Sequence, residues 1–275
     1  MHVLGLEYLS VFGLDPVAYV HLAADLGCDF VSLNLRGAAN RLPIYPPIGF
    51  RDDPRIQRSM MQALRERGVG LLLVEGFSVR PDASVDALKD DLDLVAEMGA
   101  ASICAVSTEK DMPRTFDEFS RITEMAAQRN LITTTEVGAG VLRNLDAALA
   151  AMKAVGRPDF KLLVDTMHFF RSGSTNSDFA ALDPVMIGHI QLCDVPMPRI
   201  IESYMQEALF ERRAPGDGDL PLAEFLALAP EGVPIGLEIP IRSRAEVGDE
   251  PHARLKPCVD KTRQLLAARN TSRPT

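Results

Sequence analysis

The sequence predicts a closed (β/α)8 barrel, a single-domain α/β fold, on three observations. Short apolar runs alternate with longer amphipathic ones along the chain, the pattern of a parallel sheet whose strands are joined by helices. The 275 residues match the roughly 250 of one such barrel. Each apolar run of the second half carries an acid or amide at or near the same end, as barrel strands do when one mouth holds a site.

The strands are expected at 3–8, 30–34, 69–75, 101–107, 131–136, 160–165, 186–192 and 233–239. Their interiors are apolar and often β-branched, which suits strands covered on both faces. Helices are expected near 16–26, 54–67, 84–98, 116–129, 143–154, 177–182, 201–210 with 221–228, and 251–268. Asp15 before Pro16 and Asp53 before Pro54 are cap-then-proline starts. Gly27, Gly68 and Gly99 stand where helices stop. No GxGxxG follows the first strand, which speaks against an open dinucleotide-binding sheet. The connections 35–53 and 193–220 are long and fall on the C-terminal face, where barrel active sites and lids lie.

Composition narrows the functions. Apolar residues make up 47%, and the formal net charge is -9. No Lys/Arg cluster offsets that charge, so nucleic acid is not an expected partner. Cys28, Cys104, Cys193 and Cys258 are far apart without a CxxC pairing, the pattern of reduced thiols in a cytoplasmic protein. MHVLGLEYLSVFGL lacks a basic start and contains Glu7, so it does not read as a signal peptide. No apolar run reaches the roughly 18 residues of a membrane helix. Lys161 opens its strand, the wrong end for a Schiff base, and no GxSxG elbow is present.

The informative residues are Glu136, Asp165, Gln191 and Glu238, at or near the ends of strands five to eight. A closed barrel brings these ends together. Three carboxylates so placed repel unless a cation lies among them. Their oxygens, with the amide oxygen of Gln191, suit one hard divalent metal ion, Mn²⁺ or Mg²⁺ first, with Co²⁺ and Zn²⁺ as further candidates.

The stretches TTEVG (134–138), LLVDTMHFFRSG (162–173), IGHIQLCDVP (187–196), RRAPGDGDLPLAEFL (212–226) and IGLEIP (235–240) resemble the xylose-isomerase-like TIM barrel superfamily of sugar isomerases and epimerases. The resemblance runs over nearly the whole chain and implies one such barrel over residues 1–275. It implies metal ligation by Glu136, Asp165, Gln191 and Glu238. It implies that His168, of the DxxH motif, binds substrate beside the metal, and that Arg212, of RxxPGxG, reaches substrate oxygens. Sugar epimerases usually carry His where this chain has Gln191. Gln there is similar to the 3-dehydroshikimate dehydratase branch, but that branch has a His where this chain has Gly138. The superfamily also leans to homo-oligomers, dimers or tetramers.

These residues imply an enzyme acting on a small polyoxygenated carbonyl compound. The metal would polarise the carbonyl, and the resemblance to the epimerases implies that Glu136 and Glu238 remove and return the neighbouring proton through an enediolate. Reprotonation gives isomerisation or epimerisation, and loss of a β-hydroxyl gives dehydration. An abasic-site endonuclease and a non-catalytic ligand-binding barrel are the readings from other classes. His168 reads as a substrate ligand or acid/base group. His189 reads as support for Gln191 or as core, Asp194 as an orienting or capping group, and Arg212 rather than Arg213 as inward. Glu7, Asn34, Glu75 and Ser107 lie near the ends of strands one to four and either line the pocket or make ordinary strand-end bonds. Tyr45, Ile48, Phe50, Phe169 and Phe170 are candidates for apolar walls, and RLPIYPPIGF (41–50) suggests a substrate with an apolar part.

Overall fold

The computed structural model describes residues 3–272, so the ends of the expected 1–275 domain lie outside the described residues. Eight parallel strands close a barrel in sequence order: β1 (Leu4–Leu6), β2 (Phe30–Asn34), β3 (Gly70–Val79), β4 (Ser102–Ser107), β5 (Ile132–Glu136), β6 (Phe160–Asp165), β7 (Ile187–Leu192) and β8 (Ile235–Leu237). The linking helices are α1 (Pro16–Asp25), α2 (Pro54–Arg67), α3 (Lys89–Glu97), α4 (Met112–Ala127), α5 (Leu145–Val155), α6 (Thr166–Arg171), α7 (Asn176–Ala180), α8 (Tyr204–Phe210), α9 (Leu222–Leu228), α10 (Arg242–Glu246) and α11 (Pro251–Ser272). Among the described residues no helix is long and apolar enough to cross a membrane.

The helix starts follow local chemistry. The Asp15 carboxylate accepts from the Val17 and Ala18 amides, and Asp53 from Arg55 and Ile56, each followed by proline. α2 stops at Gly68, with φ 65°, a conformation that costs glycine little. α4 begins four residues before the expected 116, because Asp111 caps it ahead of Pro113. The short α6 was not expected; Asp165 caps it by accepting from the His168 amide at 2.9 Å.

Side-chain alternation sorts the barrel into two cores. Leu6, Val31, Val74, Ile103, Val164, Ile190 and Leu237 pack outward in one large cluster with the helices. Leu73, Cys104 and Leu163, with Val106 against them, fill the interior. With a period of two, the next inward position up the strands places Glu7, Asn34, Glu75, Val106, Glu136, Asp165, Gln191 and Glu238 in one ring at the C-terminal mouth. β1 and β8 are shorter than expected, yet Glu7 and Glu238 keep the ladder, donating backbone N–H to Leu237 O and Leu192 O at 3.0 and 3.1 Å.

β3 departs most from expectation. It runs on to Val79 through a register shift between Val74 and Phe77, with Gly76 at φ 103°. Glu75 faces inward by the alternation from Leu73, and the bulge after it returns Phe77 and Val79 to the outer core. Glycine after an acid looks like a strand end in one dimension, so the sequence reading stopped at 75.

Candidate active site

The ring brings together the four expected metal-binding residues and two more carboxylates, Glu7 and Glu75. Asp165, Gln191 and Glu238 are buried, and Glu136 is nearly so. The cation among them is Arg212. Its Nη1 lies 2.5 Å from Asp165 Oδ2 and 2.9 Å from Glu238 Oε2. Its Nε donates to Ala208 O at 2.8 Å, and its backbone N–H to Pro240 O at 2.8 Å. Arg212 is 2% exposed, whereas Arg213 turns outward and donates to Asp217 O at 3.1 Å.

One guanidinium does not balance five carboxyl groups. Burial, then the charge of Glu7, pushes Glu75 up to about 7. Burial, then Asp165 and Glu75, holds Glu136 well above the usual carboxylate range. Glu238 is also well above it, because burial outweighs the help of Arg212. Asp165 is shifted the other way: burial raises it, but Arg212, His168 and the hydrogen bonds at its oxygens together bring it below its ordinary value.

His168 sits at the rim on α6. Its Nε2 lies 3.3 Å from Glu136 Oε1, and its Nδ1 is hydrogen-bonded to the Tyr204 hydroxyl on α8. Burial pushes the imidazole down to about 4, against the pull of Asp165. Glu136, Asp165 and His168 each offer a ligand atom within 4.8 Å of the others. His168 thus stands within ligand reach of the position that Glu136 and Asp165 enclose.

The cavity above the ring holds about 540 Å³. Its floor carries Glu75, Glu136, Gln191, Glu238, His168 and Arg212, and Leu9, Val106, Met205 and Leu209 make its walls apolar. Both long connections contribute, through Gly37 to Ala39 and through Tyr204 to Arg212. The expected wall residues do not line it. Phe169 and Phe170 stack with Phe179 and Phe225 beneath α9, Phe50 and Ile48 pack in the outer core, and Tyr45 packs with Phe12 and Leu42. Period counting places β4's inward residue at Val106. Ser107 instead faces Thr115, with the hydroxyls 2.9 Å apart, and accepts from the Glu109 amide. Of the walls, Val106 comes from β4, Met205 and Leu209 from α8, and Leu9 from the turn after β1.

Two supports lie around the ring. His189 Nε2 is 2.7 Å from Glu7 Oε1, both fully buried, and a side chain at Gly236 would overlap that carboxylate. Asp194 organises the RRAPGDGDL turn. Its Oδ1 accepts from Val195 and Leu220 amides at 2.9 and 3.1 Å, and its Oδ2 from Gly216 at 2.9 Å.

The donor set fits a divalent cation. It is rich in oxygen and buried, and burial, then the neighbouring carboxylates, pushes Glu75 and Glu136 toward protonation, a crowding of charge that a divalent ion would relieve.

Comparison with known proteins agrees with this architecture. The structure is similar to IOLI protein with a binding zinc atom, at TM-score 0.76 and 14% identity over 96% of this chain and 98% of that one. It is similar to the probable 3-DHS dehydratase AsbF from Bacillus anthracis, at 0.74 and 14% over 95% and 98%. It is also similar to D-psicose 3-epimerase in the presence of D-fructose, at 0.71 and 16% over 96% and 99%. No curated protein matches the chain by sequence. The family model described as xylose isomerase-like TIM barrel matches residues 20–258, and with the closed eight-stranded barrel this places the chain in the xylose isomerase-like TIM barrel family.

Proposed function

We propose that the protein is a divalent-metal-dependent isomerase or epimerase of a sugar or related polyhydroxy carbonyl compound. The observation that carries this reading is the placement of Glu136 and Glu238. These two carboxyls bracket Asp165 and Gln191 in the ring, and both line the cavity. Glu136, Asp165, Gln191 and Glu238 would hold the ion, which supplies Lewis acidity toward a carbonyl when bound. A carboxylate beside a metal-polarised carbonyl would serve as base for the carbon acid and, once protonated, as acid on the return. One of the pair takes the proton beside the carbonyl, and the other returns a proton to the opposite face or the adjacent carbon. His168, uncharged at neutral pH, and Arg212 orient substrate oxygens from the cavity rim. The substrate is small and polyoxygenated at the carboxylate floor, with an apolar part against Leu9, Val106, Met205 and Leu209. The net charge of -9 argues against nucleic acid, and a cytoplasmic homo-oligomer fits the thiol pattern and the family.

A dehydratase is the second reading, favoured by Gln191 and by the similarity to a dehydratase structure. Gly138 weighs against it. At φ 89°, a Cβ there would come within 2.9 Å of His168 O, so the backbone gives no room for the histidine of that branch.

The test is metal analysis after incubation with Mn²⁺, Mg²⁺, Co²⁺ and Zn²⁺, followed by turnover of ketoses, inososes and dehydroshikimate in D₂O. Bound metal, lost in Glu136→Gln and Glu238→Gln, and deuterium beside the substrate carbonyl are expected. Wild-type protein without metal would overturn the metal reading. Turnover without exchange would overturn the proton-transfer reading.

A further inference from the structure

We propose that Glu75 is a positioning residue that fixes the Gln191 amide with its oxygen, not its nitrogen, toward the metal position. This rests on the reading of Gln191 as a metal ligand. A glutamine offers two ends of nearly the same shape, an acceptor Oε1 and a donor Nε2. Only the oxygen can bind a cation. A histidine or carboxylate ligand has no such ambiguity, so a barrel that uses glutamine needs something to hold the amide.

Glu75 meets that need. Gln191 Nε2 donates to Glu75 Oε1 at 3.3 Å, and a carboxylate oxygen accepts from the nitrogen while giving the amide oxygen nothing to bond. Gln191 is 1% exposed, so water offers it little alternative. The Arg212 guanidinium is committed to Asp165 and Glu238, which leaves Glu75 to the amide. β3 and β7 are four strands apart in the eight-strand ring, so this bond crosses the barrel.

Glu75 keeps the inward alternation that Leu73 sets on β3. The register of β3 shifts between Val74 and Phe77, and Gly76 takes φ 103°, where a Cβ would come 3.2 Å from Asn34 Oδ1. The bulge turns Phe77 and Val79 back to the outer core and leaves Glu75 as the last inward side chain before it.

The test compares Glu75→Gln with Glu75→Met by Mn²⁺ titration, read by electron paramagnetic resonance and calorimetry, with melting temperatures as a folding check. The two variants share charge and approximate size and differ in whether position 75 can accept from Gln191 Nε2. Glu75→Met should bind Mn²⁺ about tenfold or more weakly than Glu75→Gln, the scale of a lost supporting bond to a metal ligand. Equal affinities would overturn the proposal and leave Glu75 acting through charge alone. A second readout needs no variant at position 75 to fold. In ¹⁵N-labelled wild type, the Gln191 side-chain amide, identified by its loss in Gln191→Glu, should be protected from hydrogen exchange. Fast exchange would overturn the assignment. The metal reading itself is judged separately, by whether wild type binds Mn²⁺ at all; if it does not, this proposal falls with it.

Discussion

Arg212 shows how one residue serves the barrel twice. The RxxPGxG motif pointed to it as a substrate ligand, and it lines the cavity. It is also the buried counter-ion of Asp165 and Glu238. Removing one member of a buried ionic cluster strands the others and costs about 3–5 kcal/mol. Arg212→Ala should therefore destabilise the metal-free protein by that order, measured by urea unfolding, and saturating Mn²⁺ should recover part of the loss. Unchanged stability would mean that the guanidinium is not the counter-ion. The inward aim of Arg212 was readable from its motif, but its ion pairs were not, because Asp165 lies 47 residues away in sequence. Ser107 shows the reverse limit. The strand ends where it was expected, at Ser107, but a step of one residue exchanges the inward and outward faces, and the cavity received Val106 instead.

At the scale of elements, the segment from β7 to β8 lays several side chains over the barrel mouth. α8 supplies Tyr204 to His168, and the RRAPGDGDL turn supplies Arg212. The Asp194 carboxylate nucleates that turn through backbone N–H groups, and a Cβ at Gly218 would collide with it. Asp194→Ala leaves these donors unpaired in a buried turn, at about 1–3 kcal/mol for an unsatisfied group. The variant should melt lower and, per folded molecule, lose substrate affinity more than metal content, because the turn carries Arg212 but none of Glu136, Asp165, Gln191 or Glu238. Thermal denaturation with metal analysis checks this, and an intact melting temperature would show that the turn holds itself. Long connections at the barrel mouth were legible as functional from their length. Which of their side chains face inward was not, since loops lack the period that betrays strands and helices.

For the whole molecule, the acidic ring ties stability to pH and metal. Glu75, Glu136 and Glu238 have carboxyls raised in the folded protein. A raised carboxyl contributes stability that is fully present below its unfolded value and is lost as pH rises through its folded value. For Glu75 that window runs from 4.5 to about 7, with a slope near 1.4 kcal/mol per pH unit. Asp165 is lowered, so its contribution changes only below this window. The metal-free protein should lose stability through these groups between pH 5 and 8, and a metal that replaces their protons should restore it. The melting-temperature gain on adding Mn²⁺ should be larger at pH 8 than at pH 5. An equal or smaller gain at pH 8 would show that the ring does not titrate against metal.

The sequence by itself determined the barrel, its strand order, the caps that start α1 and α2, and the strand ends where Glu136, Asp165, Gln191 and Glu238 stand. Each of these follows from short-range regularities: alternation within a strand, a capping residue before a proline, an acid closing an apolar run. Only the tertiary structure decided that Arg212 lies between two carboxylates, that Tyr204 holds His168, that Leu9 and Met205 wall the cavity, and that Glu75 reaches Gln191. The last pair is separated by 116 residues. Such contacts depend on ring closure, which sets strands four apart face to face and has no counterpart in the local regularities of a single strand.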